Sequence, residues 1–210
     1  MIRISVTSKL DGIRSWSLEA GKTCPASIGA DACKGCYAMQ GNYRYPNVRA
    51  PRIENREDWK RDEWIDDMVK ALDKDRYFRW FDSGDAYSLA LAGKIYQVMA
   101  RTPWVKHWIP TRMGKFPKFA TILAKMQALP NVMVRFSSDS ITGQYSIKVH
   151  GSTILPSIDH ATDGIKPCLA YENAGKCNGC RSCWDKSIPV IGYIAHGKSM
   201  AKQVKLALAS

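Results

Sequence analysis

The sequence predicts an α/β protein built on a parallel sheet, either open or closed into a partial (β/α) barrel. Three observations predict it. From Tyr77 to Phe136, short β-rich runs alternate with apolar residues at helical spacing, the order expected of parallel strands joined by crossover helices. Polar and ionisable residues follow the strands in turn. A cysteine phrase, C-x8-C-x-G-C, also occurs twice, as Cys24, Cys33 and Cys36 and as Cys168, Cys177 and Cys180, so that cysteine-rich loops flank the alternating core.

Each element has its own warrant. Ile2 to Leu10 and Ile13 to Ala20 read as strands about the turn Asp11-Gly12, and the first cysteine loop follows. Asn55, with Asp58 three residues on, resembles a capping box, and Trp64, Ile65, Met68, Val69 and Leu72 then recur at helical spacing. Next come a strand at Tyr77 to Phe81, a helix at Leu89 to Ala100, a strand at Val105 to Pro110, a helix at Pro117 to Leu129 and a strand at Val132 to Phe136. Phe119, Ile122, Leu123, Met126 and Leu129 share one face of the last helix, a packing stripe. A loop-rich stretch carries the second cysteine phrase, and Ile188 to Ala195 and Ser199 to Leu208 end the chain as a strand and a helix. The expected organisation is a single domain over 1–210. Within it lie a cluster loop at 24–36, an α/β core at 55–140, a C-terminal cluster segment at 165–186 and a final strand and helix at 188–208.

With 210 residues, 45% of them hydrophobic, the chain can bury a core, which excludes a disordered protein. Apolar runs such as Pro189 to Ala195 are too short to span a bilayer. The opening residues hold no apolar signal region, so the expected place is the cytoplasm, with no membrane partner. A net charge of +12, spread along the chain, would attract nucleic acid or another polyanion; solvated surface lysine accounts for it equally well. Between Gly41 and Arg61, Tyr43, Tyr45 and Trp59 interleave with Arg44, Arg49, Arg52 and Arg56. Such a segment suits stacking on single-stranded nucleic acid, and equally an ordered loop folded over a cluster.

Seven cysteines stand in the chain, and Cys183 extends the second phrase into C-x2-C-x2-C. An odd count, two closely spaced pairs and no signal region disfavour disulfides. A structural zinc site could use Cys33, Cys36, Cys177 and Cys180, leaving Cys24, Cys168 and Cys183 idle. An iron–sulfur reading uses all seven, three in the first loop and four in the second. Unligated buried thiols are the third reading. Three thiolates would leave one iron of a cubane open to an exogenous ligand; four would close it.

Function in parallel α/β folds sits at the carboxyl ends of the strands. Those positions carry Cys24, Cys33 and Cys36; Asp82, Ser83, Gly84 and Asp85; Thr111 and Arg112; Ser137, Ser138, Asp139 and Ser140; and His196, Gly197 and Lys198. Each also has a plain structural role open to it: Asp82 or Ser88 capping a helix, Ser138 to Ser140 turning the chain, Lys198 facing solvent. His107 lies within a strand and reads as a satisfied core or surface group, while His150 and His160 lie in loops and could be ligands only by chance.

The phrases SWSLEAGKTCP and CKGCYA, the following GNY and the later RWFDSGDAYS resemble the phage gene product 88 family, small viral proteins with radical-S-adenosylmethionine-like cysteine loops. The resemblance runs from about Ser15 to about Gly197. It implies an iron–sulfur protein with one or two 4Fe-4S clusters on a reduced radical-S-adenosylmethionine barrel, made in a bacterial host. In that comparison Cys24, Cys33 and Cys36 hold the open cluster, and Cys168, Cys177, Cys180 and Cys183 a second one. Ser83, Gly84 and Asp85 then meet the methionine amine of S-adenosylmethionine, Arg112 its carboxylate, and Ser137 or Ser138 its ribose. Implied partners are a reductant such as ferredoxin or flavodoxin, and nucleic acid or a host protein met through the basic surface. The chain departs from the superfamily in its C-x8-C-x2-C spacing in place of C-x3-C-x2-C, in Gly35 where an aromatic residue stands, and in SGD for GGE. Two classes of function follow. One is radical or redox chemistry on a nucleotide, nucleic acid or peptide; the other is a non-catalytic module, stapled by iron–sulfur or zinc, that binds nucleic acid or a host protein.

Overall fold

The computed structural model describes residues 2–146 and 149–209, and among them lie eight strands and six α-helices. Strand β1 (Ser5–Val6) pairs antiparallel with β2 (Arg14–Trp16) across the expected Asp11-Gly12 turn. The strands are shorter than predicted because Ser8–Leu10 winds into a single 3-10 turn that ends on Asp11 in the left-handed region. From β2 onward every pairing is parallel: β3 (Tyr77–Trp80), β4 (Lys106–Thr111), β5 (Val132–Ser137), β6 (Gly151–Leu155), β8 (Val190–Ile194) and β7 (Ile165–Cys168) follow across the sheet. The order β1-β2-β3-β4-β5-β6-β8-β7 leaves β1 and β7 as edges, so the sheet is open.

Helices cover one face. Strand side chains Trp16, Phe78, Trp80, Ile109, Val132 and Val134 point into the same core as Trp64, Met68, Leu91, Ile95, Leu123 and Met126. The latter come from α3 (Trp64–Ala71), α4 (Leu89–Arg101) and α5 (Ala120–Ala128), whose apolar stripes were legible at helical spacing. Ser88 caps α4, its hydroxyl accepting the Leu91 amide at 3.2 Å. The alternate strand residues Tyr77, Arg79, Trp108 and Arg135 face the other way, where the chain from Cys177 to Asp185, with its 3-10 turn at Ser182–Trp184, covers them.

Two expectations are corrected. Asn55 caps nothing: it lies inside α2 (Pro46–Asp58), and its amide donates to the Arg3 and Ser17 carbonyls at 2.9 and 3.0 Å. The stretch before the second cysteine phrase is no mere loop but holds β6 and β7, whose Gly151, Ser152 and Thr153 are buried despite their polarity. The sheet therefore runs well beyond the 55–140 core. Two short pieces complete the fold. Helix α1 (Asp31–Lys34) lies in the first cysteine loop, and α6 (Lys198–Ala209) packs Met200 and Val204 against Ala32 and Ile141. Among the described residues no helix is long and apolar enough to cross a membrane.

Candidate metal and cofactor site

The first cysteine loop is zippered to the segment that follows β3. Phe81, a bulky residue at φ 57, breaks the strand alternation, so Trp80 and Phe81 both enter the helix-side core. The Phe81 amide donates to Trp16 O and the Asp82 amide to Ser17 Oγ, which fixes the bend. Beyond it, Leu18 N donates to Ser83 O and Asp85 N to Thr23 O. Gly84 sits at φ 78, and a β-carbon there would stand 2.6 Å from Leu18 Cβ, so only glycine admits this approach. Tight turns then carry the loop onward: Ser27 N and Oγ donate to Cys24 O, Cys33 N to Ala30 O, and Cys36 N to Cys33 O. The Ala32 amide reaches Asp139 O, bringing the loop over the carboxyl end of β5.

The expected cofactor contacts lie around this loop, most of them already engaged. Asp85 Oδ1 accepts from Thr111 Oγ1 and Ala86 N, each at 2.7 Å, and its Oδ2 from Arg112 N at 2.9 Å. Burial still raises the Asp85 carboxyl above its usual range, against those hydrogen bonds. Ser83 Oγ donates to Leu18 O and accepts from Arg52 Nε. Asp82 pairs with Arg52 at 2.7 Å, both buried. Arg112 holds Ser138 O at 2.8 Å and lies 3.4 Å from Asp139, which Lys115 also neutralises. Ser138 Oγ is taken by Gln144 O and Ser140 N. Of the predicted contacts, Ser137 alone keeps a side-chain hydroxyl without a partner among the described residues.

The second group begins at Cys168, at the carboxyl end of β7, and then turns across the face opposite α3, α4 and α5. Cys177 N donates to Lys9 O, and the consecutive left-handed Asn178 and Gly179 turn the chain so that Cys180 N reaches Cys177 O. Asp11 receives Gly179 N and Arg181, at 2.9 and 2.8 Å. Trp184 donates to Phe78 O and packs edge-on against Trp108 and Tyr77. Both cysteine loops were expected at one end of the sheet. The first loop and Cys168 lie at the carboxyl ends; Cys183 Sγ lies 3.3 Å from the hydroxyl of Tyr193, the register partner of Cys168, while Trp184 reaches Tyr77 and Phe78 in the amino-terminal half.

All seven thiols are free. Within the first group Cys24 is pushed up to about 11 by burial and by the charges of Asp85, Cys36 and Cys33, and burial also raises Cys33 against the pull of Arg112. In the second group burial raises Cys177 and takes Cys183 to about 11. Burial works in the same direction on Cys180, yet its hydrogen bonds with Ser182 carry that thiol below its ordinary value. Charge interactions link Cys24 with Cys33 and Cys36, and link Cys168 with Cys177 and Cys183. Among the described residues, however, no three Cys, His, Asp or Glu side chains are gathered closely enough to hold a metal ion as they stand. Arg79, half-buried on β3, keeps its Nε atom without an acceptor among the described residues.

Aromatic rings span the gap between the groups. Tyr43 packs on Tyr37 at 5.5 Å, Tyr37 on His196 at 6.1 Å, and His196 on Tyr171 at 4.2 Å, with Tyr37 following Cys36 directly. Beside them opens a groove of about 360 Å³ lined by Glu19, Met39, Tyr43, Arg44, Arg49 and Arg52. A larger concavity of about 580 Å³, beside Arg14, Asp75 and Trp104, lies at the amino end of β2, away from every cysteine, and its Arg14 and Asp75 are paired with each other. Sequence reasoning missed Arg79 and Arg135. The signal was there in outline: each is a lone cation inside an otherwise apolar strand.

No curated protein and no solved structure matches the chain. A family model, Gene product 88, matches residues 5–186, nearly the span over which the sequence phrases carried the resemblance. With the match covering both cysteine groups and all but the last strand of the sheet, the chain belongs to the Gene product 88 family, a family of bacteriophage proteins.

Proposed function

We propose that this chain is an iron–sulfur protein with two thiolate centres, Cys24, Cys33 and Cys36 at the carboxyl ends of the strands and Cys168, Cys177, Cys180 and Cys183 on the face opposite α3, α4 and α5. The observation that carries it is the division of all seven free cysteines into a group of three and a group of four, each mutually coupled in charge. When bound, such clusters supply one-electron transfer, and one held by three thiolates has an iron open to an exogenous ligand. The chain's own residues position the first loop: Asp85 ties it to β4, Arg52 and Asp82 brace it, and Tyr37 donates to Asp82 O at 2.7 Å. Asp85 and Ser83 act here as struts. Reductive chemistry with S-adenosylmethionine therefore leans on Arg112, Ser137 and the open iron. Anaerobic purification with iron, sulfide and zinc analysis tests the reading. Iron and sulfide should fall by one centre's worth in Cys33→Ala and again in Cys183→Ala. Zinc without iron would move the protein to the zinc-stapled alternative, and no metal would end the proposal. Adding S-adenosylmethionine to reduced protein should change the visible spectrum and yield 5′-deoxyadenosine; neither response would leave an electron carrier.

A second reading concerns partners. The groove places Tyr43 under the Arg52 guanidinium at 4.9 Å beside Arg44 and Arg49, a surface suited to the phosphates and rings of single-stranded nucleic acid. Oligonucleotide affinity should then fall with salt at a log–log slope of about −0.7 per phosphate contact. Affinity independent of salt would remove nucleic acid from the account.

A further inference from the structure

The groove beside the first cysteine loop lies past the carboxyl ends of β2 and β3, where open parallel sheets take their ligands: Glu19 follows β2, and Asp82, which anchors Arg52, follows β3. Its three arginines are not equivalent. Arg52 donates Nε to Ser83 Oγ, Nη1 to Val48 O and Nη2 to Asp82 at 2.7 Å, so its charge is spent inside the protein. Arg49 shares the carboxylate of Glu19 with Arg56, at 2.9 and 3.4 Å. Arg44 is exposed and has no acid partner among the described residues.

Four arginines therefore stand against two carboxylates, a surplus of two positive charges. A phosphate monoester carries about −1.5 to −2 at neutral pH, so one terminal phosphate balances that surplus. Tyr43 is the ring of the groove. Arg52 lies over it at 4.9 Å and Tyr37 packs edge-on at 5.5 Å, so its plane is set before any ligand arrives. Met39, 55% exposed, belongs to the same lining, and a thioether beside a fixed ring suits a flat heterocycle. At about 360 Å³ the groove stands near the lower end of the volumes that hold a small ligand, room for one nucleotide rather than a run of them.

We propose that this groove is a site for a single nucleotide bearing a terminal phosphate, free or at the 5′ end of a strand. Arg44 and Arg49 meet the phosphate, and Tyr43 and Met39 meet the base. Arg52 is a positioning residue that holds the Tyr43 ring. This rests on the nucleic-acid reading of the groove above, and narrows it from a strand tracked along its backbone to one nucleotide and its phosphate monoester.

The test is calorimetric titration of the full-length chain with adenosine 5′-monophosphate, adenosine, inorganic phosphate, and oligoadenylates of increasing length with and without a 5′-phosphate. Affinity should stop rising after the first or second nucleotide. Removing the 5′-phosphate should lower it roughly 10- to 100-fold, the loss of a charge-assisted contact, and Arg44→Gln should weaken the phosphorylated ligands by a similar factor. Tyr43→Leu should cost roughly 5- to 100-fold through lost stacking, and Tyr43→Phe should restore binding. Affinity complete with the mononucleotide assigns a free nucleotide; one further gain at the second nucleotide assigns a strand end. Affinity that climbs with every added nucleotide and ignores the 5′-phosphate would overturn the inference and leave the nucleic-acid reading standing. Inorganic phosphate bound as tightly as the mononucleotide would overturn it too, and binding of neither nucleotide nor strand would overturn both.

Discussion

His107 should make this protein acid-sensitive in a way that can be worked out from its surroundings. It is fully buried in β4, where Nδ1 accepts from Trp80 Nε1 at 3.3 Å and Nε2 lies 2.8 Å from Thr102 Oγ1. The Thr102 hydroxyl already donates to Val98 O, so it accepts from Nε2–H and the ring is the neutral Nε2–H tautomer. Both nitrogens are occupied without a proton to spare, and burial lowers the ring's pKa from 6.5 to about 3. The unfolded chain therefore binds a proton through the window between those values while the folded chain does not, and stability falls as pH falls below 6.5. Between about pH 7.5 and pH 5 the loss from this one group is roughly 2 kcal/mol, a figure that barely depends on how far below pH 4 the folded value lies. Denaturant unfolding of wild type and His107→Gln at the two pH values isolates the term, since the other histidines are common to both. Wild type should lose about 2 kcal/mol more than the variant. Parallel pH dependences would refute the reasoning.

Ser88→Ala removes the α4 cap and should cost about 1 kcal/mol in the same unfolding assay, with no change in m-value. In Gly192→Ala the new β-carbon would stand 2.4 Å from Leu155 Cδ1 and 2.9 Å from Ile165 Cγ2, so the β6–β8–β7 layer should lose about 1–3 kcal/mol. Trp184→Ala should cost about 3–5 kcal/mol, and limited proteolysis should then cut first between Cys168 and Asp185; an intact segment would count against Trp184 as its anchor. Gly35→Ala would bring a β-carbon 3.0 Å from the Met200 main chain and push α6 off the first cysteine loop. Faster hydrogen exchange should appear from Ala32 to Gln40 and leave the β4 and β5 amides unchanged.

How much was legible depended on whether burial was apolar. The α3–β3–α4–β4–α5–β5 series was read correctly because Met68, Leu91, Ile95, Leu123 and Val134 enter one core at the expected periods. His107, read as a core or surface group, is fully buried. Helix α2 escaped because its buried side chains are Arg52 and Asn55, whose value lies in distant partners, Asp82, Ser83, Arg3 and Ser17. Strand β6 escaped because Ser152 and Thr153 are buried between strands without advertising it. The candidate site was legible as positions rather than as roles. The residues after β3, β4 and β5 do converge on the first loop, but no local pattern says that Asp85 spends its oxygens on Thr111, Ala86 and Arg112.

The two cysteine groups are held by different physics. The first loop is fastened by main-chain hydrogen bonds and by a small apolar cluster of Ala32, Ile141, Met200 and Val204. Beside it lie the groove and Tyr37, which is 46% exposed. Such a loop opens at low cost, and a ligand can reach it. The second group is pinned by a fully buried guanidinium on one side and by Trp184 packed on Trp108 on the other, a mounting that resists opening. The segment from Cys177 to Asp185 is thereby fastened to the sheet through Arg135 and Trp184, whereas the first loop rests on tight turns and a small apolar cluster.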